Sequence, residues 1–192
     1  FSFDRLDCEK FGFVFLPLFY RIAKARRASY QYDISFVGWL HFNRLDQILQ
    51  LNDSFLGIGK TAKFHLYTSA KTWFYFNVLK GVKIVSKHIL DYETYLEILD
   101  ESHAILDLHH PEQDGLTIRT IEALGANRKI ITTNADIQNY DFYNINNCLI
   151  LGEHREPSEL AAFLSLPYEQ INPDIHDSYS FERWLERIFF NQ

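Results

Sequence analysis

The residues with the clearest chemical pattern lie between positions 108 and 125, where an apolar segment leads into a polar loop and then into a helical pattern. Unpaired backbone N–H groups at the start of such a helix attract anions. Gly115 would let a phosphate approach the backbone, and Thr117 and Arg119 could donate hydrogen bonds to it. Glu122, further along the helix, is spaced to accept hydrogen bonds from the hydroxyl groups of a ribose. One interpretation of this pattern is a site for a nucleotide.

A structural role explains the same residues equally well. Asp114 would then cap the helix, and Glu122 would be an exposed or paired surface residue. The spacing alone leaves both interpretations open.

Elements that could position these residues alternate along the chain from residue 32 onward. This alternation is typical of βαβ units and a parallel sheet. The segments AILDL and KIITT lack a polar face, as expected for strands covered on both sides. We therefore predict an α/β fold, a Rossmann-like three-layer domain with a mainly parallel sheet. Strands are predicted at 33–38, 62–68, 82–86, 104–108, 129–133 and 147–151, and helices at 44–55, 72–79, 91–102, 116–124, from Pro157 and at 180–190.

Ligands of open parallel sheets bind beyond the carboxyl ends of the strands. Four predicted loops meet this description, those that follow Gly38, Thr68, Ser86 and Leu108. The loop after Leu108 is the one that leads into the polar segment described above.

The segment DGLTIRTIE at 114–122, continued by ALGANRKIITTN, resembles the donor-binding motif of GT-B glycosyltransferases. Two acidic residues separated by seven positions are followed there by a helix end with small residues and a strand. DISFVG with Asn43 and Arg44 is similar to the first strand and phosphate loop of the same C-terminal domain. The resemblance spans most of 32–151 and looks closest to bacterial enzymes of lipopolysaccharide or capsule synthesis. It implies a hexosyltransferase that uses a nucleotide-diphosphate sugar and a glycan or lipid-linked acceptor.

The resemblance also implies roles for individual residues. Glu122 would bind the ribose, and Asp114 would face the donor sugar as the candidate catalytic residue. Asp114 stands where the family usually has Glu, which shortens its reach, and Arg119 becomes an additional phosphate ligand at a position that is commonly small or proline. The other implied donor-binding residues are Gly38, Arg44, Lys71, Ile89, Leu90, His109, Gly115, Leu116 and Thr117, of which Ile89 and Leu90 would read the base.

Cations and a helix start can stabilise a departing diphosphate without a metal ion, so we expect no metal and no cofactor. Asp107, His109 and His110 form a weaker candidate metal site, since no further spaced ligand accompanies them. The segment GIGKT at 57–61 imitates a Walker A loop but lies between a helix and a strand, the reverse of the required order.

GT-B enzymes have two such domains, with the donor pocket between them, and 192 residues supply about one. We expect a crossing or linker segment at 1–31, the nucleotide-sugar domain at 32–176, and a C-terminal helix at 177–192 that packs back or toward the other domain. The chain contains no Met and opens on Phe1, so we interpret it as part of a longer protein. The alternatives are a nucleotide-sugar epimerase that uses His109 or His110, and a non-catalytic GT-B-like interaction domain.

Composition limits the partners and the compartment. The net charge of −6 disfavours a nucleic-acid partner, because nucleic-acid binding needs a broad basic surface. Cys8 and Cys148 lack metal or disulfide spacing and are expected to be free thiols. The apolar run at 11–20 is about half the length that spans a bilayer, and no signal peptide is visible. We expect a cytoplasmic protein, with peripheral contact to the inner face of the plasma membrane through the missing domain as a further option.

The first thirty residues contain the basic cluster Arg21, Lys24, Arg26 and Arg27. A solvated linker face is the favoured interpretation of this cluster, over a patch that binds phosphate or faces a membrane.

Overall fold

In a computed structural model, which describes residues 1–24, 27–41, 44–109, 114–152 and 156–190, a parallel sheet forms the centre of the fold. Its six strands lie in the order β3-β2-β1-β4-β5-β6, and each neighbouring pair is parallel. The predicted α/β, Rossmann-like fold is therefore confirmed. The strands are β1 (Tyr32–Trp39), β2 (Ala62–Tyr67), β3 (Val85–Ser86), β4 (Ser102–Asp107), β5 (Lys129–Thr132) and β6 (Cys148–Ile150).

Helices cover both faces of the sheet, as the strands without a polar face predicted. Ile105 and Ile130 point into one core, with the helix that starts at Tyr92 and the helix that ends at Gly125. Leu106 and Ile131, one position further along the same strands, point into the other core. The helices are α1 (Arg5–Phe11), α2 (Arg44–Gly57), α3 (Ala70–Phe74), α4 (Tyr92–Asp100), α5 (Ile118–Gly125), α6 (Pro157–Ser165), α7 (Pro173–Ser178) and α8 (Phe181–Phe189), with a π-helical turn at Tyr75–Leu79 and a 3₁₀ turn at Ala135–Asn139.

Local capping explains where the observed elements differ from the predicted ones. The helix predicted at 116–124 begins at Ile118, because the Thr117 side chain accepts a hydrogen bond from the Thr120 amide as its N-cap. The helix predicted at 72–79 begins earlier, behind the N-cap Ser69, and continues as a π-helical turn. The strand predicted at 82–86 is reduced to Val85–Ser86.

The strands separate at the point where the sheet order reverses. β1 pairs with β2 up to its last residue, from Ile34 with Ala62 to Trp39 with Tyr67. Its pairing with β4 ends at Ser35 with Ile105, so the carboxyl ends of β1 and β4 diverge. This is the position at which doubly wound folds bind their ligands.

The segment before β1 packs against the end of α5 and against α7 and α8. The Tyr20 ring lies against Gly125, where an added Cβ would come within 2.3 Å of the ring. The Tyr20 hydroxyl contacts His176 Nδ1 at 3.0 Å, and the Phe181 amide donates to the Tyr20 carbonyl at 3.0 Å. The expected domain limits at 31 and 176 stay predictions.

Two further properties of the described residues bear on the sequence analysis. Cys8 and Cys148 are both free, as expected. Across the described ranges, no helix combines the length and the apolar character needed to cross a membrane.

Candidate functional site

Asp107, the last residue of β4, is a fully buried carboxylate. It accepts hydrogen bonds from Thr117 Oγ1 at 2.9 Å, Thr120 Oγ1 at 2.8 Å and Arg119 Nη1 at 2.6 Å. These three donors replace the water that a buried carboxylate loses. All three come from the start of α5 and its N-cap, so Asp107 fixes the beginning of that helix to the end of β4. Asp107 therefore acts as a structural anion and not as a free metal ligand.

Arg119 connects the two strands that diverge. Its Nε donates to the Val37 carbonyl of β1 at 3.1 Å, while Nη1 holds Asp107 of β4. Its guanidinium carbon lies 4.6 Å from the centre of the Phe36 ring. Gly38 makes room for this arrangement, since an added Cβ would lie 2.8 Å from Arg119 Nη2 and 2.9 Å from the Phe36 ring.

A cleft of about 360 Å³ opens beside this bridge, between the carboxyl ends of the strands and the N-terminal ends of α4 and α5. It brings together four residues that the sequence analysis assigned to donor binding: Ile89, Leu90, Arg119 and Glu122. It is completed by residues that the sequence analysis did not assign to donor binding: Phe19, Arg21, Val37, Tyr67, Tyr92, Tyr95 and Ile118.

Glu122 lies in the wall of this cleft and is 8% exposed. The Tyr92 hydroxyl donates a hydrogen bond to Glu122 Oε1 at 3.0 Å. Burial, and then the charge of Glu122, raises the pKa of Tyr92 to about 12. Glu122 is therefore paired with Tyr92 and not exposed, and Asp114 does not cap α5, because Thr117 does.

The Tyr95 hydroxyl is also buried beside Glu122, which is near enough to raise its pKa but does not form a hydrogen bond of good geometry with it. Burial, followed by the Glu122 charge, raises the pKa of Tyr95 well above its ordinary value. A buried hydroxyl without a partner costs about 1 to 3 kcal/mol. The Tyr95 ring lines the cleft, whereas its hydroxyl oxygen is covered by protein, so a ligand reaches that hydroxyl only after the ring shifts.

Arg21 is the residue that sequence reasoning placed on a solvated linker face. It is exposed at one end of the cleft, with its guanidinium carbon 5.4 Å from the centre of the Tyr92 ring. No described acidic residue forms an ion pair with it. In the sequence, the sign that Arg21 could bind a ligand was its place in a cluster of basic residues. Arg26 of the same cluster lies outside the described residues.

Arg44 is held by backbone carbonyls near the same strand ends. Its Nη1 donates to Trp39 O at 2.8 Å and its Nη2 to Leu108 O at 2.9 Å. Burial, followed by the like charge of Arg119, lowers the pKa of Arg44. Arg44 and Arg119 thus form a pair of nearby cations, although Arg44 does not line the cleft.

The remaining residues assigned to donor binding lie outside the cleft lining. Lys71 is exposed on α3, and His109 Nδ1 is paired with Thr133 Oγ1 at 2.9 Å. Leu116 is buried in the core, and Asp114 is exposed in the loop before α5. Their roles in donor binding stay predictions, and His110 lies outside the described residues.

The backbone amides predicted to bind a phosphate already hold an anion of this chain. Asp4 Oδ2 accepts from the Asp114 amide at 3.0 Å and from the Gly115 amide at 3.4 Å. Gly115 also packs against Phe3, whose carbonyl oxygen would lie 2.5 Å from an added Cβ. Burial raises the pKa of Asp4, but the amide hydrogen bonds outweigh burial and lower it overall. These two amides therefore hold a carboxylate of this chain, and the expected contact of Gly115 with the diphosphate stays a prediction.

Metal ligands are not clustered in the described part of the chain. Among those residues, no group of three or more His, Cys, Asp or Glu side chains could hold a metal ion. Asp107 already accepts hydrogen bonds from three protein donors. The candidate metal site of Asp107 and His109 therefore has no free carboxylate. The expectation of a metal-independent site stays a prediction.

A second cleft of about 360 Å³ lies between α2 and α6. Its lining includes Gln47, Gln50, Ser54 and Leu160, and none of the described lining residues is charged. A diphosphate requires cationic or amide donors, so the cleft at Glu122 is the stronger candidate.

Compared by sequence alone, the chain matches no family model and no curated protein. Compared by structure, it is similar to AviGT4, a glycosyltransferase involved in avilamycin A biosynthesis, with a TM-score of 0.60 and 15% identity over 96% of this chain and 59% of that one. A second similar structure is an S. aureus TarM mutant in complex with fondaparinux, alpha-GlcNAc-glycerol and UDP. Its TM-score is 0.58, with 17% identity over 96% of this chain and 41% of that one. The GtfA/B complex gives a TM-score of 0.58 and 10% identity over 88% of this chain and 37% of that one.

At these identities the likeness shows a shared fold, the glycosyltransferase-like fold that the resemblance at 114–134 led us to expect. The chain spans between 37% and 59% of the lengths of these three proteins. It therefore corresponds to a part of each of them.

Asp107→Asn is expected to lower the free energy of unfolding by about 2 kcal/mol or more, because it removes the buried charge that accepts from Thr117, Thr120 and the partly buried Arg119. Urea denaturation measures this change. Asp53→Asn, on the exposed side of α2, is the matched control and should have little effect. A loss below about 1 kcal/mol would contradict the anchoring role of Asp107.

Asp4→Asn is expected to reduce the acid sensitivity of the fold. A carboxylate with a lowered pKa stabilises the folded state above its unfolded pKa, and this contribution is lost as the pH falls through the folded pKa. The difference in stability between the original chain and the variant should therefore be largest near neutral pH and shrink below about pH 4. Thermal melts across this range test it, with Asp7→Asn on the same helix as the control. A difference that is independent of pH would refute the ionic role of Asp4.

Proposed function

We propose that this chain is the donor-binding domain of a glycosyltransferase and that the cleft at Glu122 binds the nucleoside part of a nucleotide-diphosphate sugar. One observation carries the proposal: a buried carboxylate faces a cleft at the reversal point of a parallel sheet, with an apolar wall and a cation beside it. Nucleotides bind at this point in doubly wound folds, where a carboxylate accepts from the ribose hydroxyls.

Each part of a nucleotide has a matching surface in the cleft. Ile89 and Leu90 form an apolar wall for the base. Glu122 and the unpartnered Tyr95 hydroxyl supply polar groups for the ribose. Arg21 is the cation without a described counter-charge, since Arg119 is already neutralised by Asp107. The resemblance of residues 114–122 to the GT-B donor-binding motif assigns Asp114 to the sugar of the donor.

The reaction follows from the chemistry of the donor. Departure of a nucleoside diphosphate leaves negative charge on phosphate oxygens, and positioned cations stabilise that charge as it develops. We propose that transfer is metal-independent and that the acceptor is a bacterial cell-surface glycan, such as lipopolysaccharide or capsule, or its lipid-linked precursor. This acceptor class rests on the resemblance of residues 32–151.

The epimerase alternative requires acid and base groups at the sugar position. His109, one of its two candidates, is paired with Thr133 and does not line the cleft, and His110 lies outside the described residues. No observation in the described residues favours this alternative over the transferase. A non-catalytic interaction domain would lack nucleotide binding, which the following experiment measures.

The chain should be stabilised by one nucleoside diphosphate in thermal-shift titrations against UDP, GDP, CDP and ADP. The shift should saturate and should be unaffected by EDTA. Glu122→Gln should weaken this binding by about tenfold or more, because it removes a charged acceptor for the ribose hydroxyls.

Glu97→Gln, on the exposed side of α4, is the matched control and should bind like the original chain. No shift with any diphosphate, or equal shifts for Glu122→Gln and the original chain, would count against the proposal.

Tyr95→Phe should separate ligand binding from folding. Removing a buried, unpartnered hydroxyl should leave the melting temperature of the free chain unchanged or raise it. The same change should lower nucleotide affinity about threefold to tenfold if the hydroxyl bonds to the ligand. Isothermal titration of both proteins tests this, and unchanged affinity would remove Tyr95 from the site.

A further inference from the structure

Positive charge is concentrated in one part of this acidic chain. Six of its 19 Lys and Arg residues, and none of its 25 Asp and Glu residues, lie between Ser54 and Leu90. Lys71, Lys80, Lys83 and Lys87 of this stretch are exposed. None of these four forms an ion pair with a described acidic residue.

Large apolar side chains are exposed among these lysines. On α3 and the π-helical turn that continues it, the exposed fractions are 52% for Phe74, 46% for Tyr75, 56% for Val78 and 63% for Leu79. The spacing places all four on one side of the helical segment. Single exposed apolar residues need no explanation, but a contiguous group of four marks an interaction surface.

The other side of the same segment is anchored in the domain. Phe76 packs against the core between the sheet and α2, and Asn77 Nδ2 donates to the Val85 carbonyl. The lysines also approach the aromatic rings, with Lys87 Nζ at 4.9 Å from the centre of the Trp73 ring and Lys80 Nζ at 5.7 Å from that of Tyr75. The segment therefore presents an apolar face that is anchored to the domain, with Lys80 beside Tyr75 and Lys87 beside the neighbouring Trp73.

We propose that this lysine-flanked face, formed by Phe74, Tyr75, Val78 and Leu79 with Lys71, Lys80, Lys83 and Lys87, binds the surface of an anionic lipid bilayer. Apolar and aromatic side chains enter the boundary between headgroups and acyl chains, and lysines approach the anionic headgroups. The inference goes beyond the proposed function and does not depend on nucleotide binding.

Charge decides between a bilayer and a second copy of this chain. In a symmetric dimer the face would meet itself and bring eight lysines together without an acidic counterpart. A nucleic-acid backbone would match the lysines but offers nothing to Val78 and Leu79. A bilayer with anionic lipids satisfies both the cations and the aliphatic side chains.

Co-sedimentation of the 192-residue chain with vesicles tests the proposal. Vesicles of phosphatidylcholine mixed with phosphatidylserine should bind the chain at least about tenfold more strongly than phosphatidylcholine alone, and added salt should weaken the binding. Phe74→Ser with Leu79→Ser, and separately Lys80→Gln with Lys83→Gln and Lys87→Gln, should each reduce binding about tenfold.

The control is Leu56→Ser with Ile145→Ser, which removes equally exposed apolar side chains elsewhere and should bind like the original chain. Absent binding, equal binding to both vesicle types, or an equal loss in the control would overturn the proposal. So would a dimer in sedimentation velocity, without vesicles, that Phe74→Ser with Leu79→Ser dissociates. The vesicle contrast in the original chain stays decisive if a variant fails to fold.

Discussion

The buried carboxylate of Asp107 is the interaction on which the candidate site depends. An ionised carboxylate without water is costly, so its oxygens must be satisfied by the protein. Thr117, Arg119 and Thr120 do this, and in doing so they fix the start of α5. The rest of the site follows from that position, since Glu122 lies one turn further along the same helix.

Arg119 extends the effect of Asp107 to the other half of the sheet. Its contacts with Val37 and Asp107 hold the carboxyl ends of β1 and β4 at the point where they no longer pair. The cleft lies beside this point, and Gly38 is small enough to leave space for the guanidinium group. One buried ion pair thus sets both the separation of the strands and the position of the cleft wall.

Sequence patterns predicted the parts of the site that depend on local spacing. The strand-loop-helix order around 108–125 predicted the start of α5, and the motif resemblance selected Arg119, Glu122, Ile89 and Leu90, which meet in one cleft. The fold class followed from the alternation of strands and helices and from strands without a polar face.

The remaining features depend on contacts between residues far apart in the chain. Asp4 reaches the Gly115 amide across 111 positions, and Arg119 reaches Val37 across 82. No periodicity or motif encodes such pairs, so the sequence could not show that Asp4 binds the Gly115 amide or that Arg21 lines the cleft. Thr117, which the resemblance assigned to the donor, also caps α5 and donates to Asp107, and its role in donor binding stays a prediction.

The cleft and the lysine-flanked face are close in sequence. Lys87 of the face is followed by Ile89, which is 67% exposed and lines the cleft. Together, the two proposals would bring a donor site near a membrane surface, where a lipid-linked acceptor resides. This arrangement would suit the proposed synthesis of a cell-surface glycan.

The most direct test of the site is an NMR titration of the isotope-labelled chain with the nucleoside diphosphate that stabilises it. Binding in the proposed cleft predicts that the amide signals of Arg21, Ile89, Leu90 and residues 118–122 shift together and saturate together. Signals around Gln47, Gln50 and Leu160, in the second cleft, should not move. Shifts confined to the second cleft, or no saturable shifts at Glu122, would contradict the account.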